Sequence, residues 1–277
     1  MGRNKLVVVT GANRGLGLEL ARQYLKRWEG EDVWHVVACF RSEHARRCEP
    51  FRDDEYLDPR ARNEKFTHIR RPGTGISSDQ NGVLGVNVDV CVPETLGELR
   101  RVLELNKKVD VLINNAGVCI GRECAVGTID YAAWMTSFDT NVMGATRVLE
   151  TVLPHLHPKA VVVNVSGRMG SIARVMSGLG PSSATTQDVV YRTTKAALNM
   201  VTVCTAAELR KKPETKDVIV VAVDPGWMNT DMGSRGGKVE APLEPAVSAA
   251  GIMRLVDRLE PEDSGTFLNW QGEAMPW

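Results

Sequence analysis

Short apolar runs rich in β-branched residues recur along this chain, and stretches of helical spacing separate them. The runs fall at 5–10, 33–39, 83–88, 109–114, 160–165, 218–223 and 265–269. Helical spacing covers 16–28, 93–106, 128–153, 189–210 and 242–259. The runs are apolar throughout rather than at every second position, so both faces of each strand must be covered. This pattern predicts a doubly wound α/β fold over 1–277 as a single domain: a mostly seven-stranded parallel sheet with helices on both faces. Two stretches break the rhythm and are expected to be loop insertions. One is 41–82, dense in charge and interrupted by Pro50, Pro59 and Pro72; the other is 170–188, with Gly178, Gly180, Pro181 and a Ser/Thr cluster.

Composition removes several function classes. Lys plus Arg (34) equals Asp plus Glu (34), so no overall basic field recruits nucleic acid or an anionic membrane. The apolar runs fall well short of the ~20 residues that cross a bilayer. Residues 1–5 lead directly into a strand without a signal-like stretch, so a cytoplasmic protein is expected. The six cysteines are scattered without paired spacing, which suits reduced thiols in packing roles. His155 and His157 are expected as surface imidazoles at a helix end, and no metal site is expected.

The first strand runs into Thr10-Gly11-Ala12-Asn13-Arg14-Gly15-Leu16-Gly17, and a helix opens there. Glycines let a backbone turn tightly against a pyrophosphate, while the helix start presents unpaired N–H groups to the anion. Strand, glycines and helix in that order predict nucleotide binding in a Rossmann-type arrangement, with Gly11, Asn13, Arg14, Gly15, Leu16 and Gly17 around the phosphates. The second strand ends Ala38-Cys39-Phe40-Arg41. No carboxylate stands there to bind a ribose 2′-hydroxyl, and the planar guanidinium of Arg41 suits a 2′-phosphate, with Arg14 expected to clamp it from the other side. NADP(H) is therefore expected over NAD(H).

Tyr191 and Lys195 are four residues apart in a helical stretch, about 400° of turn, and so share a face. A phenol of ordinary pKa about 10 is a poor acid–base at neutral pH, and a nearby ammonium, together with a positive nicotinamide ring, is expected to lower it. Ser166 ends the fifth strand, where its hydroxyl is expected to hold a carbonyl oxygen beside that phenol. Asn141 lies mid-helix, a mediocre place for Asn.

The Thr-Gly-x-x-x-Gly-x-Gly turn, Asn114-Asn115-Ala116-Gly117, Ser166, Tyr191-x-x-x-Lys195 and Asp224-Pro225-Gly226-Trp227 together resemble the short-chain dehydrogenase/reductase family. More narrowly, 166–172, 191–200 and Met275-Pro276-Trp277 resemble its sniffer-type and C-factor-like carbonyl reductases. The resemblance implies a catalytic set of Asn141, Ser166, Tyr191 and Lys195, with Asn141 holding a water that links Lys195 to solvent. It also implies cofactor contacts at Asp89 and Val90 (adenine), Asn115, Ala116 and Gly117 (pocket wall), and Tyr191 and Lys195. Further contacts follow from Pro225, Gly226, Trp227 and Met228 under the nicotinamide, and from Thr230 at the carboxamide or pyrophosphate. Asp89 also reads as a simple cap before the next helix.

The implied activity is NADPH-dependent reduction of a ketone, aldehyde or quinone. An NAD-dependent alcohol dehydrogenase and a non-catalytic NADP-binding sensor or scaffold are the alternatives. Residues 227–241 are expected to form a substrate flap, and relatives imply a homodimer or homotetramer, which the sequence leaves open. One departure stands out: Tyr191 lies 25 positions beyond Ser166, about twice the usual gap in the family.

Overall fold

The computed structural model describes residues 3–27, 32–41, 82–105, 108–122, 124–178 and 188–277. Residues 42–81 of the first expected insertion and 179–187 of the second lie outside that set. The strands are β1 (Asn4–Thr10), β2 (Val33–Phe40), β3 (Gly82–Asn87), β4 (Val109–Asn114), β5 (Leu156–Val165), β6 (Ile219–Asp224) and β7 (Phe267–Asn269). They form one seven-stranded sheet in the order β3-β2-β1-β4-β5-β6-β7, and every pairing is parallel.

Alternate residues along each strand feed two separate cores. Val7, Val9, Ala38, Ile113, Val163 and Val221 face α1 (Gly15–Leu25) and α7 (Pro245–Arg258). Leu6, Val8, Val37, Leu112, Val162 and Val220 face α2 (Leu96–Glu104), α4 (Ala145–Val152) and α6 (Val189–Leu209). A strand buried on both sides has no polar face to alternate with, which is why the runs read as continuously apolar. The chain reverses direction across the sheet between β1 and β4, so the loops leaving their carboxyl ends diverge and open a crevice.

The structure corrects several expected elements. Residues 128–153 are not one helix: α3 (Tyr131–Phe138) passes through a π-helical turn (Asp139–Gly144) into α4. Val90 presses against Gly144, where an added Cβ would lie 2.6 Å from the valine methyl, and Asn141 bonds to backbone outside the helix. Single π-helical turns of this kind are frequent at functional sites. The start of the 93–106 stretch is a 3-10 turn, Pro93–Thr95. The 170–188 stretch contains α5 (Ile172–Met176), whose start is capped by Ser171. β5 begins at Leu156, which leaves His155 at the end of the 3-10 turn that finishes α4 but puts His157 in a strand; both are partly buried. No helix among the described residues is long and apolar enough to cross a membrane.

Candidate functional site

The crevice at the carboxyl edge is a cleft of about 1560 Å³. Its lining includes nearly all the residues singled out above, with Asn141 directly behind the wall. On one side the walls are held by backbone. Gly11 and Gly15 have φ of +65° and +54°, where other residues are strained. A Cβ on Gly17 would stand 2.3 Å from the Gly11 carbonyl oxygen and 2.4 Å from Asn115 Nδ2, so only glycine fits. That amide nitrogen donates to the carbonyls of Thr10 (2.9 Å) and Gly11 (3.2 Å), while Thr10 Oγ1 accepts from the backbone N–H of Asn115 and Ala116. Thr10 and Asn115 thus lock the glycine turn to β4. No side chain caps the start of α1, which leaves its first N–H groups for an anion.

Arg14 and Arg41 both line the cleft, but they turn to different partners instead of converging. Arg14 Nη1 lies 2.7 Å from Asp231 Oδ2 and Arg41 Nη1 lies 3.8 Å from Asp89 Oδ2, with both guanidiniums well exposed. Asp89 Oδ1 accepts from the Cys91 N–H (2.9 Å) within its own turn, so it is not the cap of the following helix, whose start at Pro93 carries no side-chain cap.

Long-range side-chain bonds assemble the other side. Lys195 Nζ donates to the Val165 carbonyl at 2.7 Å, and Ser166 Oγ donates to Asn199 Oδ1 at 2.6 Å. Asn199 Nδ2 faces the Gly170 carbonyl at 3.4 Å, which fixes which way the amide points. Ser166 therefore spends its proton inside the protein, contrary to the expectation that it is held ready for a carbonyl oxygen. Asn141 accepts from the Val118 N–H (2.8 Å) and donates to the Val118 carbonyl (2.9 Å) and Thr194 Oγ1 (3.0 Å). Gly170 admits α6 so closely that a Cβ there would lie 2.7 Å from the Lys195 carbonyl carbon.

Tyr191 lines the cleft with Lys195 Nζ 5.6 Å from its ring centroid. The protein's own groups, without the nicotinamide, do not lower its pKa. Burial pushes the phenol above its ordinary value, and Cys119 and Asp224 add to the rise. Burial also brings the Lys195 amine down to about 8. Desolvation is the largest cause for both groups.

Beyond β6, the Pro225 carbonyl accepts from Ser248 Oγ (2.7 Å), and Gly226 packs where a Cβ would meet Leu243 at 2.7 Å. Met228 bridges to Leu243, and Trp227 Nε1 donates to the Gly233 carbonyl (2.9 Å), so the expected flap is stitched to itself. The Thr230 methyl sits 3.2 Å from where a Cβ on Gly15 would be, over the glycine turn.

Three participants escaped the sequence reading. Asn199 follows Lys195 by one helical turn, a spacing that could have revealed it. Cys119 lines the cleft near Tyr191, and burial raises its thiol pKa. Asp224, buried at the end of β6, accepts from Arg168 through its backbone N–H (3.0 Å), Nε (3.1 Å) and Nη2 (3.0 Å), tying the turn after β5 to β6.

Comparison with known proteins points the same way. A short chain dehydrogenase family model matches residues 74–240. The C-signal protein of Myxococcus xanthus is 41% identical over 171 residues, covering 61% of this chain and 93% of that protein. Among solved structures, an NADPH-bound carbonyl reductase from chicken fatty liver superposes with a TM-score of 0.72 at 25% identity, over 99% of this chain and 100% of that one. The carbonyl reductase Sniffer of D. melanogaster shares the fold, with a TM-score of 0.73 at 24% identity over 99% and 100% of the two chains.

Proposed function

Since the chain belongs to the short-chain dehydrogenase family and is an oxidoreductase, we propose that it reduces a ketone, aldehyde or quinone carbonyl with NADPH. The carrying observation is the meeting of Tyr191, Lys195 and Ser166 at the carboxyl end of β5, beside a glycine turn that has no room for side chains.

That turn fits a dinucleotide. Gly11, Asn13, Gly15, Leu16 and Gly17 would hold the pyrophosphate at the start of α1, and Thr230, poised over Gly15, is suited to the same phosphates. Arg41 would take the 2′-phosphate, Asp89 and Val90 the adenine, and Asn115 to Gly117 with Pro225 to Met228 the nicotinamide end. The chicken reductase that this chain resembles binds NADPH, which supports the same cofactor here. When bound, the cofactor supplies the hydride that adds to the carbonyl carbon.

The protein supplies the proton. Tyr191 donates its hydroxyl proton to the carbonyl oxygen as general acid. Lys195, anchored to Val165, orients the ribose and replenishes the proton through the site around Asn141 and Thr194. Ser166, its hydroxyl oriented by Asn199, closes the site at the end of β5 and positions the carbonyl beside Tyr191.

The single domain 1–277, with insertions at 41–82 and 170–188, acts on small molecules. Exposed Tyr131 and Met135 on α3 and Met200 on α6 support a homodimer built across those helices. The test is NADPH oxidation at 340 nm with a panel of ketones, aldehydes and quinones. Consumption with at least one of them is expected; tight NADPH binding with no turnover on any would favour the sensor alternative.

A further inference from the structure

The substrate half of the cleft carries more positive charge than a neutral carbonyl compound calls for. Five arginines reach it from separate segments: Arg122 after β4, Arg168 and Arg174 after β5, Arg192 on α6, and Arg235 in the 227–241 stretch. Lys195 adds a sixth cation. Among the described lining residues of that half, the carboxylates are Asp188, Asp224, Asp231 and Glu244. Asp224 is bound by Arg168 and Asp231 by Arg14, which belongs to the cofactor half, so two of the four are already committed.

Several of these cations are held in place rather than free in solvent. Arg122 donates from its loop across the mouth to the Met232 carbonyl. Arg168 is gripped at two nitrogens by buried Asp224. Arg192 follows Tyr191 directly and is partly buried, so that desolvation works against its charge while Asp188 favours it. The positive charges of Arg122 and Arg235 are both felt by the Cys119 thiol, deep in the cleft and itself felt by Tyr191. A rim of fixed guanidiniums around a low-dielectric cleft concentrates anions, and their planar forks match carboxylate and phosphate oxygens.

We infer that the substrate is a carbonyl compound bearing an anionic group, a carboxylate or phosphate, which docks on Arg122 and Arg235 while its carbonyl faces Tyr191. The inference rests on the reductase reading and adds the substrate class to it.

The experiment compares linear oxo acids, from 4-oxopentanoate to 8-oxononanoate, with their methyl esters, using the intact protein and NADPH. At low salt the acid of matching length should have a kcat/KM about tenfold above its ester, mainly through KM. The gap should shrink as KCl rises from about 20 to 300 mM, because salt screens the attraction. Arg122→Gln and Arg235→Gln, made separately so that one misfolded variant does not decide the matter, should each narrow the acid-to-ester ratio. An oxoalkylphosphonate of the same length distinguishes the two anions: the better substrate identifies which group the rim prefers. Equal kcat/KM for acid and ester at every length would overturn the inference, as would a preference that survives both substitutions. If no member is reduced while the wider panel of ketones, aldehydes and quinones is, the inference fails and the reductase reading stands; if neither set is reduced, the reductase reading fails. Calorimetry with glutarate then tests the rim by itself: salt-sensitive binding weakened by Arg235→Gln upholds the anion site, and absence of binding refutes it.

Discussion

The two halves of the cleft are built by different means. On the β1 side the wall is backbone against backbone: Gly17 against Gly11, with Asn115 and Thr10 pinning the turn to its neighbouring strand. On the β5 side, side chains distant in sequence do the work, with Lys195 on Val165, Ser166 on Asn199 and Asn141 on Val118. The first design tolerates no added atom. The second is also close-packed at Gly170, but what sets its reacting groups is a hydrogen-bond partner far away in the chain.

Substitutions can break this contrast. The largest effect is expected from Tyr191→Phe, which removes the proton donor and keeps the packing: kcat should fall by about 10²–10⁴. NADPH affinity, followed by nicotinamide fluorescence, should stay within about twofold, and a turnover that persists would remove Tyr191 from its assigned role. Gly17→Ala should do the converse. Its methyl group has no space, and overpacking of about 1–3 kcal/mol would weaken NADPH binding roughly 5- to 100-fold and lower Tm. A variant with native affinity would contradict the tight contact.

Asn199→Leu probes the side-chain half more gently. Ser166 loses the acceptor that sets its hydroxyl, a change of about 1–1.5 kcal/mol, and kcat should drop roughly tenfold at unchanged NADPH affinity. Asn199→Asp, which keeps an oxygen there, should recover part of it. The smallest effect is a pH profile. Burial lowers Lys195 to about 8, so its charge is present below that pH and lost above it. Reduction should therefore decline as pH rises through about 8, about twofold at the midpoint, while Tyr191 remains protonated throughout. A profile flat to pH 9.5 would show that the ammonium is not needed.

The contrast also explains what could be read from the sequence. The strands were legible because burial on both faces leaves an unbroken apolar run, as in Val161, Val162 and Val163. The glycine turn was legible because its steric rule acts within a few residues, and Tyr191 with Lys195 because helical geometry alone puts them on one face. The π-helical turn was not, since it depends on Asn141 meeting Val118, 23 residues away, and on Val90 wedged against Gly144. The Ser166–Asn199 bond spans 33 residues, and the pairing of Arg14 with Asp231 spans 217. Local propensity carries no trace of such partners. The environment of Tyr191 shows the same limit: the ammonium is visible in the sequence, whereas the burial that raises the phenol belongs to the folded cleft.

The helix α5, which carries Arg174 to the substrate mouth, is moored at its start by residues more than a hundred positions later. Ser171 Oγ donates to the Pro276 carbonyl (2.6 Å), the Ala173 N–H donates to the Trp277 carbonyl (2.8 Å), and the Trp277 ring stacks on Phe267 of β7, 5.5 Å between centroids. Selectivity can thus be adjusted from a distance. Swapping one aromatic side chain at position 277 would slacken the entrance without disturbing a single reacting group, a handle for anyone wishing to widen the range of molecules this enzyme admits.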